Sequence, residues 1–221
     1  MAQAQGLTVL PVIIQMAPGQ AATTITVENH DSSETSFQVR AFAWNQRENA
    51  DQLAPTDALL VSPPLGIIAA QGRQVMRLVL RRPPQGSEAA YRIWLDQIPP
   101  PAAPGTVRIA LRLSIPIFAE PLTRVAPHVE WRIESSGGQA GLTGVNTGTR
   151  HDAVRDITLT SADNRPLKIE SGTSPYVLAG ATRRWRIVSS GPPLGAGARL
   201  HLAANADSGR IDQAVAVTGS P

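Results

Sequence analysis

The most constraining pattern in the chain lies in residues 105–118, which read Gly-Thr-Val-Arg-Ile-Ala-Leu-Arg-Leu-Ser-Ile-Pro-Ile-Phe. Every second position is a branched aliphatic residue, namely Val107, Ile109, Leu111, Leu113, Ile115 and Ile117. This period of two predicts an extended strand with one continuous aliphatic face. Pro116 cannot donate a ladder hydrogen bond, so we expect the strand to lie at a sheet edge or to bend there. Such an edge promotes aggregation unless it is covered, so the aliphatic row is either buried internally or offered to a partner.

The rest of the chain is also divided into short strands. Its 221 residues suffice for two domains of ordinary size, and strands at spacings of roughly 8–15 residues are typical of an immunoglobulin-like sandwich. After a strand that ends at Trp44, we expect residues 45–57 to form a polar loop. The alternation is lost in the proline-containing residues 119–127, which indicates a linker. We therefore predict an all-β chain with two sandwich domains, residues 1–121 and 122–221.

The composition argues against most kinds of chemical site. The chain has no cysteine, which excludes disulfides and cysteine metal sites. No histidine has a partner at metal-ligand spacing, and we expect structural roles for all of them, namely His30, His128, His151 and His201. Neither a nucleophile elbow nor a paired acid and base is evident. The sequence therefore predicts a protein that is not an enzyme and that needs no cofactor or metal.

Charge and hydropathy bear on the remaining classes of partner. The net charge is +3, carried by nineteen arginines and a single lysine, Lys168, against 17 acidic residues. The arginines are scattered among the acidic residues without an aromatic-studded basic stripe, so we expect no nucleic-acid partner. No apolar window is long enough to span a membrane. Residues 1–5 are too polar for a signal peptide, so they are either the mature start of an exported protein or a cytosolic start.

A series of motifs resembles a known family. The motifs are Pro63-Pro64 before an apolar run, Gln71-Gly72, Val75 to Leu78, Tyr91 to Pro100, and Ile109 to Phe118 followed by Pro121. Their order and spacing resemble those in the first domain of the periplasmic pilus-assembly chaperones of the PapD-like family. Residues 141–159, with Asn146-Thr-Gly148, resemble the second domain more loosely. The Tyr-Arg…Asp-Gln strand and the Ser-Ile-Pro-Ile-Phe strand end are closer to the archaic, or spore-coat-protein-like, branch of the family.

This resemblance implies both a fold and a function. The fold would be two immunoglobulin-like domains set at an angle. The function would be to bind pilus or surface-fibre subunits in the periplasm and to deliver them to an outer-membrane usher. Such subunits lack their last strand, and a strand of the chaperone is inserted in its place. The donor residues here would be Val107, Ile109, Leu111 and Leu113, and the chain without a subunit would be a monomer or a small capped dimer.

The chain departs from the family where the terminal carboxylate of the subunit is bound. Typical members use an Arg on the first strand and a Lys late in the donor strand, whereas the corresponding positions here fall near Ile13 and at Pro116. Neither residue can bind a carboxylate. We nominate Arg92 as a substitute anchor and Arg112 as the reserve. The alternative for Arg92 is a surface arginine or an ion pair with Asp96.

Two other interpretations stay open from the sequence alone. Any sandwich strand alternates with a period of two, so the four donor residues could be ordinary core. A structural or adhesive protein that self-assembles through its own edge strands would show the same pattern. For the aromatic residues Trp44 and Trp94 we expect packing roles.

Overall fold

The structure, a computed structural model, contains only β-strands as regular elements in the residues that it describes. Those residues are 6–100, 105, 107, 109–136, 139–170, 174–188 and 194–219, so the N-terminal pentapeptide considered above lies outside them. Within these ranges no helix has the length and apolarity to cross a membrane. The contacts divide the chain into two units: unit 1 comprises residues 1–44 and 53–123, and unit 2 comprises residues 45–52 and 124–221.

Ten strands precede the linker. They are β1 (Leu7–Leu10), β2 (Ile14–Met16), β3 (Ala22–Asn29), β4 (Thr35–Arg47), β5 (Ala50–Pro55), β6 (Leu59–Ser62), β7 (Leu65–Ile68), β8 (Arg73–Leu80), β9 (Ala89–Ile98) and β10 (Arg112–Ala119). One sheet has the order β1-β3-β8-β6. The other has the order β2-β10-β9-β4-β5, and β7 also pairs with β4. Buried side chains from both sheets, including Ile25, Phe37, Met76, Ile93 and Ile117, form one hydrophobic core.

The first apolar segment of the chain contributes to both sheets. Its β1 half pairs antiparallel with β3, and its β2 half pairs parallel with β10. Pro11 lies between the two halves, where it can neither donate a ladder hydrogen bond nor continue a regular strand. This interruption gives β10 a neighbour for its last three residues, Ile117 to Ala119.

The segment after Trp44 is a strand and a hairpin, so the expectation of a polar loop there was wrong. β4 continues past Trp44 and pairs with β5, and the turn between them has positive φ angles at Glu48 and Asn49, of 51° and 62°. Two such residues in succession are typical of the tight turns that join paired strands. The side chain of Asn49 at the tip has a structural partner: its carboxamide accepts from the backbone N–H of Arg184 at 2.7 Å and donates to the carbonyl oxygen of Arg184 at 3.0 Å.

Unit 2 contains eight further strands. They are β11 (Val129–Ser136), β12 (Gln139–Asn146), β13 (Asp152–Thr160), β14 (Pro166–Ile169), β15 (Tyr176–Val177), β16 (Thr182–Val188), β17 (Arg199–Ala206) and β18 (Gly209–Gly219). They are hydrogen-bonded in the order β14-β16-β12-β11-β18-β17-β13-β15. β14 also pairs with β13, so the strands from β14 to β13 close into a ring around a second core.

Candidate functional site

The aliphatic row of residues 107–117 leaves the core of unit 1 as it is followed towards the N-terminus. Ile117 is fully buried, and Ile115 belongs to the same core. Leu113 is half-buried against that core, and Leu111 is half-buried. Ile109 is 79% exposed and Val107 is 91% exposed. One face of one segment therefore passes from core to solvent, and the donor candidates Val107 and Ile109 are at the exposed end.

Regular pairing in this segment begins at Arg112, later than the alternation predicted. β9 pairs with β10 along the whole length of β10, whereas β2 pairs only with its last three residues. The last backbone hydrogen bond beyond β10 runs from the N–H of Gln97 to the carbonyl of Leu111, at 2.9 Å. Among the residues that the structure describes, no strand pairs with the second edge of Arg112 to Pro116. Pro116 thus lies on an edge position, as its missing N–H requires, while the end of the same strand is internal.

Exposed aliphatic side chains also precede β2. Leu10, Val12 and Ile13 are all exposed, and they lead directly into Ile14, which pairs with Ile117 of β10. From the sequence only Ile13 was named, as a position that cannot bind a carboxylate; the exposure of the three side chains was not predicted, because an interrupted edge strand and an exposed apolar segment have the same composition. The only signal was Pro11 inside an otherwise apolar run.

Arg92, the nominated carboxylate anchor, lies on β9 directly opposite Pro116 of β10. It is half-buried, and its guanidinium carbon is 3.8 Å from the centroid of the Trp44 ring. Trp44 is itself buried and packs against Phe118 at a centroid distance of 5.8 Å. The arginine is therefore held by cation–π contact one strand away from the unpaired edge.

Arg112, the reserve anchor, has a different environment. Its Nε donates to the carboxylate of Asp96, and Arg40 donates to the other oxygen of the same carboxylate at 2.6 Å. Both guanidinium groups also lie over the ring of Trp94, at 4.3 Å for Arg112 and 5.4 Å for Arg40. Burial alone would raise the pKa of Asp96, but the hydrogen bonds and charges of the two arginines outweigh burial and lower it.

The structure does not bring the two anchor candidates to one point. Arg92 is opposite Pro116, and Asp96 is opposite Arg112. Four residues along a strand correspond to about 13 Å. Arg92 and Arg112 therefore belong to separate clusters, one around Trp44 and one around Trp94. The ion pair of Asp96 is made with Arg40 and Arg112.

Three of the histidines contact side chains of their own unit. His30 contacts Thr8 at 3.1 Å, His201 contacts Asp212 at 2.8 Å, and the buried His151 packs edge-on against Tyr176. No group of residues able to hold a metal ion occurs in the described ranges.

Comparison with known proteins gives one family and a consistent fold. Residues 6–124 match the family described as pili and flagellar-assembly chaperone, PapD N-terminal domain. No curated protein matches the chain.

Solved structures match over nearly the whole chain. The CsuC–CsuE chaperone–tip adhesion subunit pre-assembly complex from archaic chaperone-usher Csu pili of Acinetobacter baumannii gives a TM-score of 0.69 at 20% identity, covering 98% of this chain and 100% of that chain. The SafB chaperone with SafA pilin of Salmonella enterica gives 0.65 at 14% identity, with 97% of each chain covered. The CupB2 chaperone of Pseudomonas aeruginosa gives 0.61 at 14%, covering 95% and 100%. The fold is thus a pair of immunoglobulin-like β-sandwiches, as predicted.

Proposed function

This chain belongs to the PapD-like family of pilus-assembly chaperones, and we propose that it holds pilus or surface-fibre subunits in the periplasm by lending them a donor strand. Family membership also confirms that the protein is not an enzyme. The observation that carries the proposal is the pair Val107 and Ile109. They are exposed at the end of an aliphatic row whose other members are half-buried or buried, on a segment that leads into an unpaired strand edge.

Donor-strand addition follows from the physics of that edge. Backbone N–H and C=O groups on an unpaired edge pair with any extended partner, and the alternating side chains select the register. Each aliphatic side chain that leaves water contributes roughly 1.5–3 kcal/mol. Val107, Ile109, Leu111 and Leu113 together would therefore offset much of the association cost, which is about 4–15 kcal/mol.

Charge on the donor row tests the proposal. We expect Ile109→Asp to reduce subunit capture by more than about 100-fold, because a carboxylate would have to enter an apolar groove. The chain should stay folded, since Ile109 is exposed. The probe is the fibre subunit that co-purifies with the wild-type chain from a periplasmic extract, and capture is measured as protection of that subunit from aggregation.

The matched control is Val75→Asp. Val75 is an exposed aliphatic residue in β8, in the opposite sheet of unit 1. The Val75→Asp variant should capture the subunit as well as the wild type does. If Ile109→Asp protects the subunit as well as Val75→Asp, the donor strand is assigned to the wrong residues.

For the terminal carboxylate of the subunit we propose Arg92 as the anchor. Its guanidinium is oriented by the Trp44 ring, and an arginine can bind a carboxylate through two parallel hydrogen bonds. Arg92→Ala should weaken capture about 10-fold for a subunit with a free carboxylate, and should have no effect on one whose carboxylate is amidated. Arg77→Ala, at an exposed position of β8, is the control. An equal loss with both subunits would show that Arg92 acts through packing alone. Arg112 stays the reserve anchor.

We further propose that the loaded chaperone passes its subunit to an outer-membrane usher. One similar structure comes from a chaperone-usher pilus system, which supports this step. Without a subunit, the chain should be a monomer or a small capped dimer. A self-assembling adhesive protein with the same open edge would instead form fibres, so sedimentation velocity of the purified chain separates these two functions.

A further inference from the structure

Asp96 lies at the centre of a cluster that joins three strands of unit 1. Arg40 comes from β4, Asp96 and Trp94 from β9, and Arg112 from β10. Each oxygen of the carboxylate accepts from a different arginine, and both guanidinium groups lie over the same indole ring. The carboxylate side chain is only 15% exposed, whereas those of Arg40 and Arg112 are about half exposed. The cluster is thus a partly shielded anion between two cations.

The position of the cluster is informative because Arg112 is the first residue of β10. Towards the N-terminus the ladder ends, after the hydrogen bond between Gln97 and the carbonyl of Leu111. The next aliphatic residue of the row, Ile109, is exposed. The ion pair between Arg112 and Asp96 joins residues that are direct partners in the register. It therefore lies where the aliphatic row leaves the sheet.

We propose that Asp96 is a positioning residue that fixes where the donor segment leaves the sheet, so that Ile109 and Val107 are presented in a set register. The inference rests on the proposed donor-strand function. A strand held in its bound conformation loses less conformational entropy on binding. Asp96 restrains Arg112 through a charge-assisted hydrogen bond, and the Trp94 ring restrains the same guanidinium from below. Without the carboxylate, the two arginines over one ring would repel each other.

Asp96→Asn tests this role with little change in volume. We expect amide hydrogen exchange at Gln97, which donates to the Leu111 carbonyl, and at Leu113 to become about three- to tenfold faster in the subunit-free chain, because the end of the ladder loses its restraint. Capture of the same fibre subunit should weaken by a similar factor, and the difference from the wild type should shrink as salt is added. Asp96→Glu keeps the charge, so its exchange rates and its subunit capture should be close to those of the wild type.

The control is Asp57→Asn. Asp57 also forms an ion pair with an arginine of unit 1, at 2.9 Å from Arg81, but the two residues lie outside the strands, just before β6 and just after β8 of the other sheet. It should change neither exchange nor capture. Arg112→Gln breaks the same contact from the opposite side and should reproduce Asp96→Asn. If Asp96→Asn fails to fold, Arg112→Gln tests the positioning role in its place.

The outcomes separate the two proposals. If Ile109→Asp abolishes capture but Asp96→Asn and Arg112→Gln leave both exchange and capture at wild-type values, the positioning role is overturned and the donor strand stands. If the loss in Asp96→Asn is not restored by Asp96→Glu, the residue acts through packing and the positioning role is again overturned. If Ile109→Asp still captures the subunit, the donor-strand function itself is overturned, whatever the exchange rates show.

Discussion

Units 1 and 2 are sandwiches of similar size with cores of the same kind, but they differ in what they leave exposed. In the described residues, all but one of the exposed large aliphatic side chains lie in unit 1, the exception being Val188. They include Leu10, Val12, Val107 and Ile109, which are on or near the segments that lead into β2 and β10. Single exposed aliphatic residues are normal in a monomer, whereas exposed aliphatic residues that follow one another along a segment mark an interaction surface more often. The asymmetry supports the proposal that the binding surface lies on unit 1.

The closure of the strands in unit 2 shows how the same architecture removes edges. β14 pairs with β16 through Lys168 and Ile169, and with β13 through Pro166 and Leu167, so one short strand joins the two ends of the sheet. Among the described strands of unit 1, none does this for β10 between Arg112 and Pro116. An edge is a hazard in an ordinary domain but is the working surface of a strand donor.

Alanine substitutions along the row should separate folding from binding, and they carry the largest expected effect. Ile117→Ala removes a fully buried side chain and should lower the free energy of unfolding by about 2–5 kcal/mol. Ile109→Ala should change it by less than about 0.5 kcal/mol. Subunit capture should show the reverse order once corrected for the folded fraction. Urea denaturation and subunit protection measure the two quantities.

Leu113→Ala is the intermediate case, because Leu113 is half-buried against the core. This substitution should lower the free energy of unfolding less than Ile117→Ala does, and subunit capture less than Ile109→Ala does. If instead Ile109→Ala destabilised unit 1 as strongly as Ile117→Ala does, the row would be ordinary core and the contrast between the two units would disappear.

Asn146 offers a position where the two units should behave alike. Its carboxamide donates to the carbonyls of Arg150 and Val177, at 2.8 and 2.9 Å, and accepts from the N–H groups of His128 and Gly148, at 3.1 and 3.0 Å. The side chain is fully buried. Asn146→Ala should therefore cost about 2–4 kcal/mol of stability in unit 2, since buried backbone groups lose their partners.

Asn29 is the matched position in unit 1. It also ends a strand, and its carboxamide donates to the carbonyls of Ser33 and Ala69 and accepts from the N–H of Asp31. Asn29→Ala should have a similar cost. Residue-resolved hydrogen exchange reports each unit separately. A large loss in one unit only would mean that these two asparagines do not hold equivalent turns.

Most strands could be predicted from the alternation, because one face of each strand is buried. The alternation of residues 105–118 predicted a strand, and β10 occupies Arg112–Ala119. The hairpin after Trp44 was missed, since its turn is Glu48-Asn49 rather than a glycine-containing pair. The tip of this hairpin is hydrogen-bonded to residues more than a hundred positions away, such as Asn49 to Arg184, and a local sequence pattern does not reveal such partners.

The candidate site could be predicted only in part. The sequence predicts which residues share the face of the row, but a core row and a donor row have the same alternation. Only the pairing of β10 distinguishes Ile117 from Ile109. The cluster around Asp96 could not be predicted from the sequence, because Arg40 and Arg112 are 56 and 16 residues away from Asp96 in the chain. That proximity is a property of the strand order.

The smallest expected difference between the units is in how much stability one carboxyl group of each unit loses at acidic pH. In unit 2 the hydrogen bond from Arg132 to Glu134, at 2.6 Å, lowers the pKa of that carboxyl, with burial opposing the change. In unit 1 two arginines lower the pKa of Asp96. A carboxyl whose pKa is lower in the folded state stabilises the fold above its unfolded pKa. That contribution is lost as the pH falls through the lowered folded value.

The free energy of unfolding should therefore fall less steeply with decreasing pH in Glu134→Gln and in Asp96→Asn than in the wild type. The difference should appear below the ordinary pKa values, 4.5 for Glu and 3.8 for Asp. Both effects should be below about 1 kcal/mol, because the arginine side chains are about half exposed to solvent. Asp96 should have the larger effect, since it has two cationic partners and a less exposed side chain than Glu134. Urea denaturation at about pH 7 and about pH 3 measures the difference. If the free energy of unfolding of Asp96→Asn fell with decreasing pH as steeply as that of the wild type, the two arginines would contribute nothing to folding, and the charged cluster of unit 1 would have to be explained by binding alone.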